Sequence, residues 1–88
     1  MTHQLKILPE YFQSVVSGVK TFEIRKNDRD FQVDDEVLLQ EWTLSEGYTG
    51  AQALVRITYI TDYAQREGYI VFAHQLVSHS IVQGGESK

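Results

Sequence analysis

A single helical pattern, set among segments with strand patterns, limits the folds open to this chain. Pro9 suits the first position of a helix because its φ angle is already close to helical. The apolar residues after it repeat at helical spacing and share one face: Tyr11, Phe12, Val15 and Val16. Gly18 stands where helices commonly end in a left-handed residue. The sequence therefore predicts one helix that ends at Gly18.

The remaining patterned segments alternate between apolar and polar residues, as strands do. They cover residues 3–8, 21–25, 36–42, 53–61 and 69–77. The predicted order is β-α-β-β-β-β, in an α+β protein that is mainly β with one or two helices. Short strands with one helix suggest a small curled sheet or barrel with the helix over one end. We expect a single domain over residues 1–82 and a frayed tail over residues 83–88.

Three local patterns make predictions that a structure can check. Phe22 and Ile24 alternate with polar neighbours, which predicts a half-buried strand with its apolar face inward. Asp34 and Asp35 are predicted to form a tight turn. Residues 45–50 contain two glycines and are predicted to form a loop that exposes Tyr48.

Composition excludes several classes of protein. The 88 residues include no cysteine, which rules out disulfide scaffolds, cysteine-containing zinc sites and thiol nucleophiles, and suits a reducing cytoplasm. The longest aliphatic run, residues 37–39, is far too short to cross a membrane. A net charge of −4 argues against strong non-specific binding to duplex DNA, which needs many phosphate contacts. We expect a cytoplasmic protein with no membrane partner.

Positive charge is concentrated in one stretch, residues 20–29. This basic segment holds four of the eight lysines and arginines and two acids, so its charge is +2 while the rest of the chain carries −6. A basic segment on an acidic chain favours a local binding site for a short single strand or a nucleoside.

The residues around this segment resemble a known family. Gly18, Lys20, Glu23 and Arg25 fit the Gly-x-Lys-x-x-Glu-x-Arg signature of ASCH domains, which belong to the PUA-like β-barrel superfamily. The resemblance extends over residues 3–77 and is strongest to a small bacterial and phage family within that superfamily. Asp34 stands where that family's turn more often has Gly, and Asp tolerates a left-handed φ better than most residues.

This resemblance implies a barrel of five or six strands with a cleft beside the helix, and a role in binding RNA. One branch of the superfamily hydrolyses N4-acetylcytidine with a Lys, a Thr and a Glu. By position, its Lys matches Lys20, but its nucleophilic Thr falls on Glu23, which cannot do the same work. Thr21 is close to that position but out of register.

Lys20, Glu23 and Arg25 form the main candidate site. Two cations beside a carboxylate suit a polar ligand: the cations would bind phosphate or a base carbonyl, and the carboxylate would accept from an exocyclic amine or a ribose hydroxyl. The alternative is a structural ion pair at the barrel mouth, which is worth only about 0–1 kcal/mol on a surface.

Other candidates surround this site. Lys26 and Arg29 are candidate phosphate contacts, or else part of a solvated loop. Tyr48 is the best exposed candidate for stacking on a base. The histidines, His3, His74 and His79, are too scattered for a metal site, so we expect neither a metal nor a cofactor.

The sequence leaves three functions open. The leading one is a module that binds RNA or a modified nucleoside through Lys20, Glu23 and Arg25. The second is an amidohydrolase acting on an acylated nucleobase, with Lys20 and Glu23 as catalytic residues. The third is a phage or prophage accessory module that acts through a protein partner, suggested by the acidic charge of the rest of the chain.

Overall fold

The computed structural model describes residues 1–80, which form one helix and five strands in the predicted order. The elements are β1 (Thr2–Ile7), α1 (Pro9–Val16), β2 (Phe22–Lys26), β3 (Glu36–Thr43), β4 (Gly47–Thr61) and β5 (Tyr69–Ser80). The predicted mainly-β class with a single short helix is confirmed. The predicted tail, residues 83–88, lies outside the described residues, and the domain limits of 1–82 stay a prediction.

The five strands form one curled sheet, a half-barrel, in the order β1-β3-β4-β5-β2. β1 runs parallel to β3, and the other neighbours are antiparallel. β1 and β2 are therefore the two edges of the sheet. Because the sheet curls, these edges approach each other, and the groove described below lies between them.

Helix α1 packs on the inner face of the sheet and delivers the chain to β2. Phe12 and Val15 are each 1% exposed and join the core. Gly18 has the predicted left-handed conformation, with φ of +82°. After it, the amide of Lys20 donates to the carbonyl of Ser14 at 2.9 Å, so the backbone of Lys20 is held against the helix end.

The core is built from alternate residues of the strands together with the two helix residues and Phe31. Alternation explains why β4 buries every second side chain from residue 51 to residue 57. A register shift between Ile57 and Tyr59 interrupts this pattern. Tyr59 is consequently exposed, while Ile60 packs against the core.

The predicted loop over residues 45–50 is wrong beyond residue 46. The turn occupies only residues 44–46, and Gly47 begins β4, with Tyr48 opposite Trp42 on β3. Gly47 and Gly50 have φ angles of +75° and +96°, a conformation that glycine reaches without strain. These two residues let an irregular strand continue where composition alone predicts a loop.

The predicted turn at Asp34 and Asp35 forms, and the two residues have different roles in it. Asp34 takes the left-handed φ of +78°. Asp35 is buried, where its carboxylate lies 2.7 Å from Nε2 of His3 and accepts a hydrogen bond from the amide of Gln32. His3 thus has a structural role in fixing this turn to β1.

The contact with His3 makes stability depend on pH through Asp35. The hydrogen bond with His3 lowers the pKa of Asp35 from its usual 3.8, and the Gln32 amide adds to this against the opposing effect of burial. A carboxyl group whose pKa is lower in the folded state than in the unfolded state stabilises the fold at pH values above its unfolded pKa. That stability is lost as the pH falls through the folded pKa. We expect Asp35→Asn to destabilise the protein from pH 5 to 7, by a margin that shrinks below about pH 4.

Chemical denaturation of both proteins from pH 7 to pH 3 measures this margin. A difference in the free energy of unfolding that stays constant with pH would contradict the role given to the Asp35 carboxylate.

Within residues 1–80, the structure contains no helix long and apolar enough to cross a membrane.

Candidate functional site

A groove of about 520 Å³ lies between the two edges of the sheet. One wall is the end of β1 and the start of α1, with Ile7, Leu8 and Tyr11, and the other is β2, with Phe22 and Ile24. Its charged lining is Lys6, Lys20, Glu23 and Arg25. The groove therefore combines apolar walls with a few charged groups, the usual make-up of a small-molecule site, and its volume is in the usual range of about 300–1,000 Å³.

Lys20 and Glu23 form a close ion pair in this lining. Nζ of Lys20 donates to Oε2 of Glu23 at 2.6 Å and to the carbonyl of Phe22 at 2.6 Å. The Glu23 side chain is 6% exposed and that of Lys20 is 17% exposed. The backbone turn after Gly18 explains how Lys20 reaches a side chain three residues away.

Strand β2 is turned the opposite way from the prediction. Glu23 is buried, whereas Phe22 and Ile24 are about half exposed along the groove. The cause is the pairing of β2 with β5, which sets Glu23 opposite the fully buried Phe72 and so on the inner face. Burial of this carboxylate is tolerable because Lys20 neutralises it.

Arg25 bridges the two edges of the half-barrel. Its Nη2 donates to the backbone carbonyl of Lys6 at 2.8 Å, and its Nε lies 3.4 Å from Oε1 of Glu23. Backbone groups on a sheet edge lack a neighbouring strand. Arg25 satisfies one such carbonyl on β1 and sets the width of the groove at that point.

Two aromatic rings flank the Lys20 ammonium. Nζ lies 4.9 Å from the ring centre of Phe22 and 5.8 Å from that of Tyr11, within the range of cation–π contacts. Tyr11 was not predicted as a site residue because it falls on the apolar face of the helix pattern. Its 46% exposure shows that it lies at the border of the core.

The structure brings the three main candidates together and leaves the others outside. Lys20, Glu23 and Arg25 all line the groove, but Lys26, Arg29 and Tyr48 do not. Lys26 is exposed at the end of β2, and Nε of Arg29 lies 4.0 Å from its neighbour Asp28. Tyr48 is exposed as predicted, but it lies on β4 opposite Trp42.

The inner face of β5 carries a further polar residue, His74, which has no predicted role. Its side chain is buried, and its backbone amide donates to the carbonyl of Thr21 at 2.9 Å. Burial lowers the pKa of His74, an effect that the negative charge of Glu23 opposes and the positive charge of Lys20 reinforces. His74 alternates with Phe72 as a core residue does, so no pattern in the sequence marks it.

The part of the chain that the structure describes contains no group of three side chains placed to hold a metal ion. The groove lining offers three cations (Lys6, Lys20 and Arg25), one carboxylate (Glu23) and two aromatic rings. Such a set can bind an anion or carbonyl, accept from an amine or imine N–H, and stack on a planar ring.

Comparisons with known proteins identify the family. A protein of Escherichia phage P2, described as an uncharacterized 12.9 kDa protein in the GpA 3' region, is 33% identical over 75 residues. These cover 85% of this chain and 68% of the phage protein, in keeping with the likeness to a small phage family, while membership of the ASCH group stays a prediction. Residues 2–73 match a family described as a domain of unknown function, DUF3850. The chain therefore belongs to the DUF3850 family.

Proposed function

We propose that the groove binds a single nucleobase, presented by a nucleoside or by a short single-stranded RNA, and that the domain is a PUA-like nucleoside-binding module. The observation that carries this proposal is the placement of a buried Lys20–Glu23 pair between two exposed aromatic rings. A planar ring with hydrogen-bonding groups on its edge is the ligand class that uses both features.

The apolar walls supply the stacking surface. Tyr11 and Phe22 each expose a little over two-fifths of their surface, and both line the groove. Stacking of a base on an aromatic side chain contributes about 1–3 kcal/mol and tolerates any base. The walls therefore supply affinity, and the polar groups between them supply selection.

The charged lining supplies that selection. The Glu23 carboxylate accepts hydrogen bonds only, so it faces an N–H of the base, while Lys20 and Arg25 face a base carbonyl or a phosphate. Few cations line the groove and the chain is acidic overall, with a net charge of −4. These charges favour a nucleoside or a few nucleotides over a long polyanion.

Two further observations support a binding role over hydrolysis. The position that would hold the nucleophilic Thr of the related amidohydrolases is Glu23, and this carboxylate already accepts a hydrogen bond from Lys20. The resemblance to ASCH domains supports the same assignment, since it implies a cleft beside the helix and a role in binding RNA.

We expect Tyr11→Ala to weaken binding by about tenfold, because it removes one stacking face and leaves the Lys20–Glu23 ion pair and Arg25 in place. Isothermal titration with cytidine, uridine, adenosine, guanosine and a short single-stranded RNA measures the loss.

Tyr48→Ala is the matched control, because Tyr48 is similarly exposed but lies outside the groove. Its affinity should equal that of the wild type. The proposal fails if the wild type binds none of these ligands, or if both tyrosine variants lose the same affinity.

A further inference from the structure

His74 lies next to Glu23 on the inner face of the sheet. Glu23 pairs with Phe72 across β2 and β5, and His74 stands two residues further along β5. Glu23 and His74 are therefore diagonal neighbours on one face, a relation with Cβ atoms about 7–8 Å apart or less. Glu23 and Lys20 line the groove, whereas His74 is not part of that lining.

The imidazole of His74 is buried and unpaired. Its exposure is 6%, and neither Nδ1 nor Nε2 has a hydrogen-bond partner within residues 1–80. A neutral imidazole has one N–H donor and one acceptor nitrogen, and burying both unpaired destabilises a fold. A residue needed only for packing would be more favourable as Phe or Leu. The imidazole nitrogens therefore need a hydrogen-bond partner that does not belong to residues 1–80.

Glu23 also has unused hydrogen-bonding capacity. Oε2 accepts from Lys20 at 2.6 Å, whereas the cation nearest to Oε1 is Nε of Arg25 at 3.4 Å. Oε1 is an acceptor, and the neutral imidazole of its diagonal neighbour His74 carries one N–H donor. The complementary ligand group has an N–H next to an acceptor atom, which the Watson–Crick edge of a nucleobase provides.

We propose that His74 is a specificity-determining contact, whose ring hydrogen-bonds an acceptor atom of a bound nucleobase while Glu23 accepts the neighbouring N–H of that base. This inference rests on the proposed function, since it requires the groove to take a base. Because both ring nitrogens of His74 are buried and His74 does not line the groove, the contact requires the side chains that separate them from the groove to move when the base binds.

His74→Phe separates this role from a structural one, because the two roles predict different results. If the ring contacts the ligand, the variant keeps or gains stability, since an unpaired polar group is removed, yet binds about tenfold more weakly. The measurement pairs chemical denaturation with titration of the most tightly bound of cytidine, uridine, adenosine and guanosine. His79→Phe is the control on the same strand, because His79 is exposed, and we expect wild-type stability and affinity.

Each other outcome overturns the inference. Unchanged affinity in His74→Phe removes His74 from the site but leaves the proposed function standing. A marked loss of stability in both His74→Phe and His74→Leu shows that the ring already has a partner in the fold. A wild type that binds neither the nucleosides nor the short single-stranded RNA overturns the proposed function itself, and the role of His74 with it.

Discussion

Replacing Phe12 with alanine is expected to lower the free energy of unfolding by about 3–5 kcal/mol, the usual cost of truncating a fully buried aromatic residue. Phe12 is 1% exposed and is one of the two buried residues that α1 contributes to the core. Without it, the helix loses much of its anchorage to the sheet. Since α1 also holds Tyr11 and the backbone of Lys20, the groove should be lost together with the fold.

Urea denaturation followed by circular dichroism measures this loss, and Tyr11→Ala is the matched control. Tyr11 is the neighbouring aromatic on the same helix, but it is 46% exposed. Its replacement should cost less than about 1 kcal/mol, since surface substitutions have small effects. Similar costs for the two variants would contradict the packing described for α1.

Replacing Lys20 with methionine is expected to cost about 2 kcal/mol, because it leaves the buried Glu23 carboxylate without its closest partner. Methionine keeps most of the aliphatic length, so the change tests the charge more than the packing. The expected cost is below the 3–5 kcal/mol that is typical when one partner of a fully buried ion pair is removed. The reason is that Lys20 is 17% exposed and Arg25 stays 3.4 Å from the carboxylate.

A double-mutant cycle isolates the ion pair from other effects. Glu23→Gln removes the negative charge, so Lys20→Met should cost less in that background than in the wild type, with a coupling of about 1 kcal/mol or more. Lys26→Met is the control, because Lys26 is exposed at the end of the same strand. A coupling near zero would show that Lys20 does not stabilise Glu23.

Local signals in the sequence predict most of the fold. Pro9 and Gly18 bound the helix, and Asp34 takes its left-handed φ, because each depends on the conformation of one residue. Residues 47–50 were predicted as a loop and are strand. An irregular segment that contains glycines can form a strand when a neighbouring strand pairs with it, and here that neighbour is β3.

The difference between local signals and contacts with distant strands also explains which site residues could be predicted. Lys20, Glu23 and Arg25 are grouped by a short signature, and all three line the groove. The direction of Glu23 depends on its register with β5, which its own strand does not encode. Tyr11 and His74 were missed because each fits an apolar face, and their surroundings come from elements distant in sequence.

The groove itself is a consequence of topology. β1 and β2 are close in sequence but stand at opposite edges of one curled sheet, where Arg25 meets the carbonyl of Lys6. Phe22 and Ile24 lie on β2, an edge strand, and the closure places the end of β1 across the groove from them. These half-exposed apolar residues beside a buried ion pair are the features on which the proposed ligand site rests.

The most direct test of the groove as a nucleobase site is mapping of NMR chemical shifts during titration with a nucleoside. Resonances of Tyr11, Phe22 and Ile24 should shift together and saturate, because these residues line the groove. Those of Tyr59 and Tyr63, exposed elsewhere, should not move. Shifts centred on Tyr48, or none with the four nucleosides and a short single-stranded RNA, would contradict the assignment of the groove as the binding site.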